Sequence, residues 1–359
     1  MNKRPLIRNR LSHGATHVAA GAHGFTLIEM MVAMLLGLIV IGGVISVFLA
    51  GQQTYRTNEA LGDVENGSRT AFELLSRDLR DAGLSGCDNT NGRIANVVNN
   101  GASNWYSDWS NALHGYDDAS QDPALSSLTG TGAPVPGTSS VHILSTATAD
   151  VVVKRSASGG TGSPASLGIN TPSSLLATGD LIIVCDYDHA TILQITKYSG
   201  DNIVVHNAGN GDASPGNCTK GLGYPAPTPC NSSTNDSNGA VYDFANNGRI
   251  AILTAVDWYI GSNSVGTTSL YRLNVGYGAA PPTATPQEMV RNVTGMKILY
   301  LQPPGTQFDK AANMTNWATV NAAQVTLSLQ SASQRVSSNN SARLTRSFTS
   351  TTTVRNRVQ

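Results

Sequence analysis

Gly24-Phe25-Thr26-Leu27-Ile28-Glu29 stands between two contrasting stretches, and its reading decides the fold. Behind it, Met30 to Ala50 is a run of 21 residues without a charge. As a helix that run rises roughly 32 Å at about 1.5 Å per residue, enough to cross the hydrocarbon core of a bilayer. In front of it, residues 1–24 carry Lys3, Arg4, Arg8 and Arg10 and no acid. This asymmetry fits the positive-inside rule, with residues 1–24 cytoplasmic and the bulk of the chain beyond the membrane. Glu29 at the front edge needs its own explanation. A carboxylate carried into a bilayer costs about 3 kcal/mol and usually has a partner. A conventional secretory signal does not fit, because its apolar core is only about 7–15 residues long. Phe48 also interrupts a small-x-small pattern before Gly51.

The chain has 359 residues, enough for one large or two ordinary domains after the apolar run. Charged residues make up only 13%, while Gly, Ser, Thr and Asn are abundant, which points to a loop-rich, β-rich extracytoplasmic protein. The 23 basic and 23 acidic side chains cancel, but without the four bases of the leader the remainder is net acidic. No basic stripe follows, so nucleic acid is not an expected partner. Four cysteines, Cys87, Cys185, Cys218 and Cys230, suggest two disulfides in an exported chain, with three pairings open. Cys218 with Cys230 is favoured, since a Gly-, Pro- and Asn-rich loop gains order from a short closure, and Cys87 with Cys185 then follows. Buried free thiols are the bland alternative. A zinc site is disfavoured by the lack of a C-x-x-C or a nearby histidine pair.

Beyond the apolar run the pattern becomes amphipathic. Val64, Ala71, Phe72, Leu75, Leu79 and Ala82 recur at helical spacing. Glu65–Arg69 and Glu73–Arg77 are i,i+4 pairs in the favourable order. Gly83 is placed to end the helix as its C′ residue. One helix is therefore expected over residues 25–83, with a membrane part at 25–51 and an amphipathic part at 52–83. Gly42, Gly43, Gly51, Gly62 and Gly67 are points where it is expected to bend or loosen.

The hexapeptide, set between a basic leader and a long apolar run, resembles the type III signal of type IV pilins and type II secretion pseudopilins. The resemblance implies that a membrane peptidase cuts between Gly24 and Phe25 and that the new N-terminus, Phe25, is N-methylated. It implies further that Glu29 pairs with the terminal amine of a neighbouring subunit in the assembled fibre. Physically, two charges in an apolar fibre core are costly apart, and pairing them sets register. The helix end, Phe72 to Gly83 followed by Ser85-Gly86-Cys87, resembles the PilW family of minor pilins. J-type pseudopilins share a similar helix end. Segments Met289–Tyr300, Val325–Leu329 and Arg346–Arg357 resemble the late strands of that family. Many major pilins carry a proline in the membrane part, and this chain has none between Phe25 and Gly83.

The implied architecture is α+β: a leader at 1–24, a long helix at 25–83, and a large β-rich head at 84–359 with a loop insertion at 207–248. The implied role is a minor pilin that primes type IV pilus assembly near the tip. The alternatives are a J-type pseudopilin of type II secretion or a membrane-anchored adhesive protein that never polymerises. Implied partners are the inner membrane, the prepilin peptidase/methylase, other minor pilins, the major pilin and a tip adhesin. The implied location is the inner membrane before assembly, with a cytoplasmic N-terminus, and the pilus surface afterwards.

Strands are expected at 141–144 and 151–153 with a polar turn between them. A meander is expected over 181–185, 191–195 and 203–206, with further strands at 250–260, 269–273, 297–301, 324–329 and 344–354. Loops are expected at 276–286, 303–322 and 331–342. Trp105, Tyr106 and Trp109 suit a local core better than a ligand platform. Asp186, Asp188 and His189 form a turn whose ordinary reading is loop chemistry rather than metal binding. Asp88–Gly92 resembles a calcium loop without its closing glutamate, and the Asn-rich stretch Asn231–Gly239 suits solvated loop. No Ser-His-Asp spacing, phosphate loop or H-E-x-x-H appears. The expectation is a non-enzymatic protein without cofactor or metal.

Overall fold

A computed structural model describes residues 24–87, 93–157, 165–209, 213–232, 239–245, 248–278, 281–334 and 343–357. The chain divides after Arg56 into two compact units. The helix α1, Leu27–Arg80, supplies the described part of the first unit and the opening of the second. The glycines that the sequence marks as weak points do not interrupt it.

In the second unit α1 has one buried face, formed by Ala60, Val64, Ser68, Ala71, Leu75 and Leu79. These follow the helical repeat, so a single stripe meets the core and the charged pairs stay outside. At Gly67 a Cβ would lie 3.3 Å from Leu329 Cδ2, so the glycine permits the close approach of helix and strand. The helix ends in a short turn. Asp81 N–H bonds both the Arg77 and Asp78 carbonyls, and Gly83 takes φ +71°. Its N–H then bonds the Leu144 carbonyl, which ties the helix exit to the sheet.

Fourteen strands follow among the described residues: β1 Ile94–Asn96, β2 Leu113–Tyr116, β3 Ser140–Ala157, β4 Ser166–Ile169, β5 Leu181–Cys185, β6 Ala190–Gln194, β7 Lys197–Tyr198, β8 Ile203–Val205, β9 Arg249–Ser262, β10 Thr268–Gly276, β11 Thr283–Arg291, β12 Val293–Leu301, β13 Ala322–Gln330 and β14 Thr345–Thr353. The first eleven form one sheet whose main path runs β1-β6-β5-β9-β3-β4-β8-β7. β2 joins β3, and β10 joins β9 and carries β11 at its outer edge. The remaining three form a second sheet, β12-β13-β14.

The antiparallel β3–β9 pair is the spine of the large sheet. Its two ends serve different cores. Around Val141, Ile143, Val256, Trp258 and Ile260 the sheet packs against α1, together with Met296, Ile298, Tyr300, Val325 and Leu327 of the small sheet. Around Val151, Val153 and Ile250 it packs instead with β4, β5, β6 and β8, and with Cys218, Leu222 and Phe244 from the loop insertion.

Three expectations are corrected. The turn between 141–144 and 151–153 is absent: β3 runs through, with a register shift between Thr148 and Val151 and Asp150 at φ +53°. A bulge absorbs the polar residues while β9 stays paired on both sides. The expected loop at 276–286 gives way at Thr283 to β11, which contains Pro286. Proline is tolerated there because β11 is an edge strand and need not donate outward. Finally, β8 pairs with β4 and β7 rather than continuing a meander from β6.

Candidate functional site

Gly24, Phe25 and Thr26 precede the helix, leaving the Gly24–Phe25 peptide just outside the first turn. Among the described residues no heavy atom lies within 4 Å of the position a Gly24 Cβ would take, apart from its chain neighbours. Thr26 is the N-cap. Its Oγ1 accepts from the Glu29 N–H at 3.3 Å, and its carbonyl accepts from the Met30 N–H at 3.2 Å. Threonine at the cap with glutamate three residues on is the residue pair of a capping box, and the acid also suits the positive end of the helix dipole. Sequence reasoning missed this function of Thr26, although T-x-x-E before an apolar run is its signal. Glu29 and the side chains behind it are exposed. The most apolar window of α1 has a mean hydropathy of 2.8, and none of it is buried within the chain. Residues 1–23 of the leader lie outside the described residues.

Both disulfides form: Cys87–Cys185 across 98 residues and Cys218–Cys230 across 12. The first fastens the segment after α1 to the end of β5, and the second closes the loop insertion onto the outer core. The turn at Asp186, Asp188 and His189 is occupied by protein partners. Asp186 Oδ1 accepts the N–H groups of Asp188 and His189, and its Oδ2 accepts the Tyr242 hydroxyl at 2.8 Å. Asp188 pairs with Arg93 and with His189, whose ring stacks on Tyr242 at 3.8 Å. Trp105, Tyr106 and Trp109 are partly buried against Leu144 and Ala255. Asp88–Gly92, and residues 233–238 of the Asn-rich stretch, lie outside the described residues.

The sheet also assembles a buried group that no sequence spacing announces. His114, His142 and Asp257 are directly opposed across β2, β3 and β9. Asp122, from the loop before β3, closes over that row. His142 Nε2 donates to Asp122 Oδ1 at 2.7 Å and lies 3.2 Å from Asp257 Oδ2. Asp122 is well supplied with donors: Ala124 N–H at 2.9 Å and the Ser140 hydroxyl at 2.5 Å add to His142. Asp257 is fully buried beside Asp122, and among the described residues neither of its oxygens receives a hydrogen bond of good geometry. Burial first, and then the charge of Asp122, push the Asp257 carboxyl well above the usual carboxylate range. For Asp122 burial acts upward, but the hydrogen bond and charge of His142 outweigh it and hold the carboxyl low. Trp105 covers the His142 ring at 5.0 Å.

Residues 20–45 match the prokaryotic N-terminal methylation motif. The match supports a type IV pilin-like protein and implies processing by prepilin peptidase and association with the membrane. The exposed apolar helix fits membrane anchoring. No curated protein and no solved structure matches the chain.

Proposed function

We propose that this chain is a minor pilin of the PilW type, a non-catalytic subunit that helps prime type IV pilus assembly near the fibre tip. The observation that carries the reading is the conjunction at the N-terminus. The Gly24–Phe25 peptide, the cleavage site of this proposal, lies outside a capped helix, and among the described residues none of the most apolar window behind it is buried. Before assembly those side chains face lipid. After cleavage they pack among the helices of other pilins, and Glu29 meets the freed amine of a neighbouring Phe25. The large β-rich head suits a tip better than a repeated shaft, where bulk would hinder packing. A tip adhesin, surface adhesion and twitching motility belong to the same proposal.

Glu29→Ala is the direct test. Cleavage of the leader is expected to proceed, as judged by the mass of the membrane-extracted chain. Incorporation into sheared surface fibres is expected to fall by at least about tenfold, because an unpaired amine is left in an apolar core. Normal incorporation would sink the mechanism. Deleting the gene separates the pilus from the secretion fibre: loss of surface pili with intact protein export supports the proposal, and retained pili with trapped exoproteins overturns it.

A further inference from the structure

We propose that Asp122, His142 and Asp257 form a structural site for one divalent transition-metal ion of the zinc type. Each residue offers one ligand atom, and those atoms all lie within 4.8 Å of one another. All three side chains are almost completely buried. An imidazole with two carboxylates is a donor set for zinc and its neighbours rather than for calcium, which takes oxygen alone.

The charge balance allows it. Among the described residues no Lys or Arg pairs with Asp122 or Asp257, so no basic side chain competes for them. A dication with a neutral His142 would balance both carboxylates once the protons it replaces have left. The second observation is Asp257 itself: among the described residues neither of its buried oxygens has a hydrogen-bond partner of good geometry, and Oδ2 faces the nitrogen that would ligate. Ligands about 2.0–2.1 Å from a tetrahedral ion stand roughly 3.3 Å apart. The His142–Asp257 separation of 3.2 Å already meets that spacing. The 2.7 Å hydrogen bond from His142 to Asp122 is shorter, so Asp122 must draw back by about 0.6 Å. Ser140 and Ala124, which hold Asp122, would remain as its supports. A second imidazole stands close by: the ring centre of His114 is 5.9 Å from that of His142, and its Nδ1 is buried without a partner among the described residues. The ion would join β3, β9 and the loop carrying Asp122. All four cysteines are in disulfides, so no thiolate competes.

The test uses the purified full-length chain in detergent, with His13, His17 and His23 replaced by Asn so that the leader offers no imidazole. The protein is stripped with chelator, dialysed against zinc, gel-filtered and analysed for metal. One zinc per chain is expected, with a melting temperature that rises with zinc concentration. Cobalt in place of zinc should give visible absorption bands of a low-symmetry site. Asp257→Asn and His142→Gln should each weaken zinc binding by at least about tenfold, whereas His189→Asn should not. Equal zinc retention in Asp257→Asn and His142→Gln would assign the metal to the surface and overturn the proposal. If those variants do not fold, the unsubstituted site decides alone. Less than half an equivalent of zinc, or no change in melting between stripped and loaded protein, overturns the proposal.

Discussion

Asp78 shows how one side chain can hold a helix on a sheet. Its Oδ2 accepts from Trp258 Nε1 at 2.9 Å and from Arg272 Nε at 2.8 Å. Trp258 is one of the largest fully buried side chains, and the Arg272 guanidinium sits 6.0 Å from its ring centre. Removing the carboxylate leaves the indole N–H without its acceptor and the guanidinium with Asn274 alone. Asp78→Ala should therefore destabilise the fold by about 2 kcal/mol, measured by urea denaturation, with Asp78→Asn recovering part of it. His206 behaves differently. It is buried, neither ring nitrogen has a hydrogen-bond partner among the described residues, and burial lowers its pKa from 6.5 to about 4. The unfolded chain takes up this proton first, so the contribution of neutral His206 is complete above pH 6.5 and is lost as pH falls towards 4. Stability should drop by up to about 3 kcal/mol across that window. His206→Phe should flatten this part of the pH profile of the melting temperature, and an unchanged profile would refute the assignment. Neither Asp78 nor His206 could be singled out from sequence. Asp122, His142 and Asp257 were equally hidden, because only strand register and a returning loop bring them together.

Elements differed in how openly the sequence displayed them. The long helix was legible because two signals overlap: an uninterrupted apolar run and then a stripe whose Val64, Ala71, Leu75 and Leu79 are all buried. The termini came within a few residues: Gly83 carries C-cap chemistry, and the expected start at Phe25 adjoins Thr26, whose cap role went unread. β9 and β13 were legible from their alternation and β-branched content. β11 was not, because Thr283–Arg291 has an exposed, polar face and Pro286 within it. The continuity of β3 was concealed by Thr148 and Asp150, which read as a turn yet form a bulge against β9. The two disulfides join elements over very different spans, which makes their effects separable. In the loop-closure picture a 12-residue separation is worth about 3 kcal/mol and a 98-residue separation about 4.7 kcal/mol. Replacing Cys87 and Cys185 by Ser should thus lower the melting temperature more than replacing Cys218 and Cys230. In addition, the Cys218/Cys230 variant should open the loop insertion to protease before the sheet unfolds. The reverse order of melting temperatures would mean that native packing of the insertion, rather than chain entropy, sets the effect.

The whole molecule joins surfaces with opposite requirements. Residues from Thr57 onward bury their apolar stripe of α1 against two sheets, and this unit closes a core of its own. Residues before it do the contrary: Leu27 is 79% exposed and Leu38 73%, and the most apolar window of the helix contributes nothing to burial within the chain. At about 25 cal/mol per Å² of apolar surface, such a stretch is strongly driven out of water into lipid or against other helices, and the β-rich unit is expected to be stable without it. The two properties can therefore be separated experimentally. A chain beginning at Thr57 should fold without detergent, keep the far- and near-ultraviolet dichroism of the sheets, and melt within a few degrees of the full chain in mild detergent. The first turn of the shortened helix will fray, since it loses Thr26 and all the hydrogen bonds ahead of Thr57, but the buried stripe starts only at Ala60. Aggregation of that chain, or loss of its near-ultraviolet signal, would show that residues before Thr57 support the head and that their exposure does not mean independence. If it folds alone, the apolar stretch is free to exchange lipid for neighbouring helices without disturbing the domain it carries, as the proposed assembly from a membrane requires.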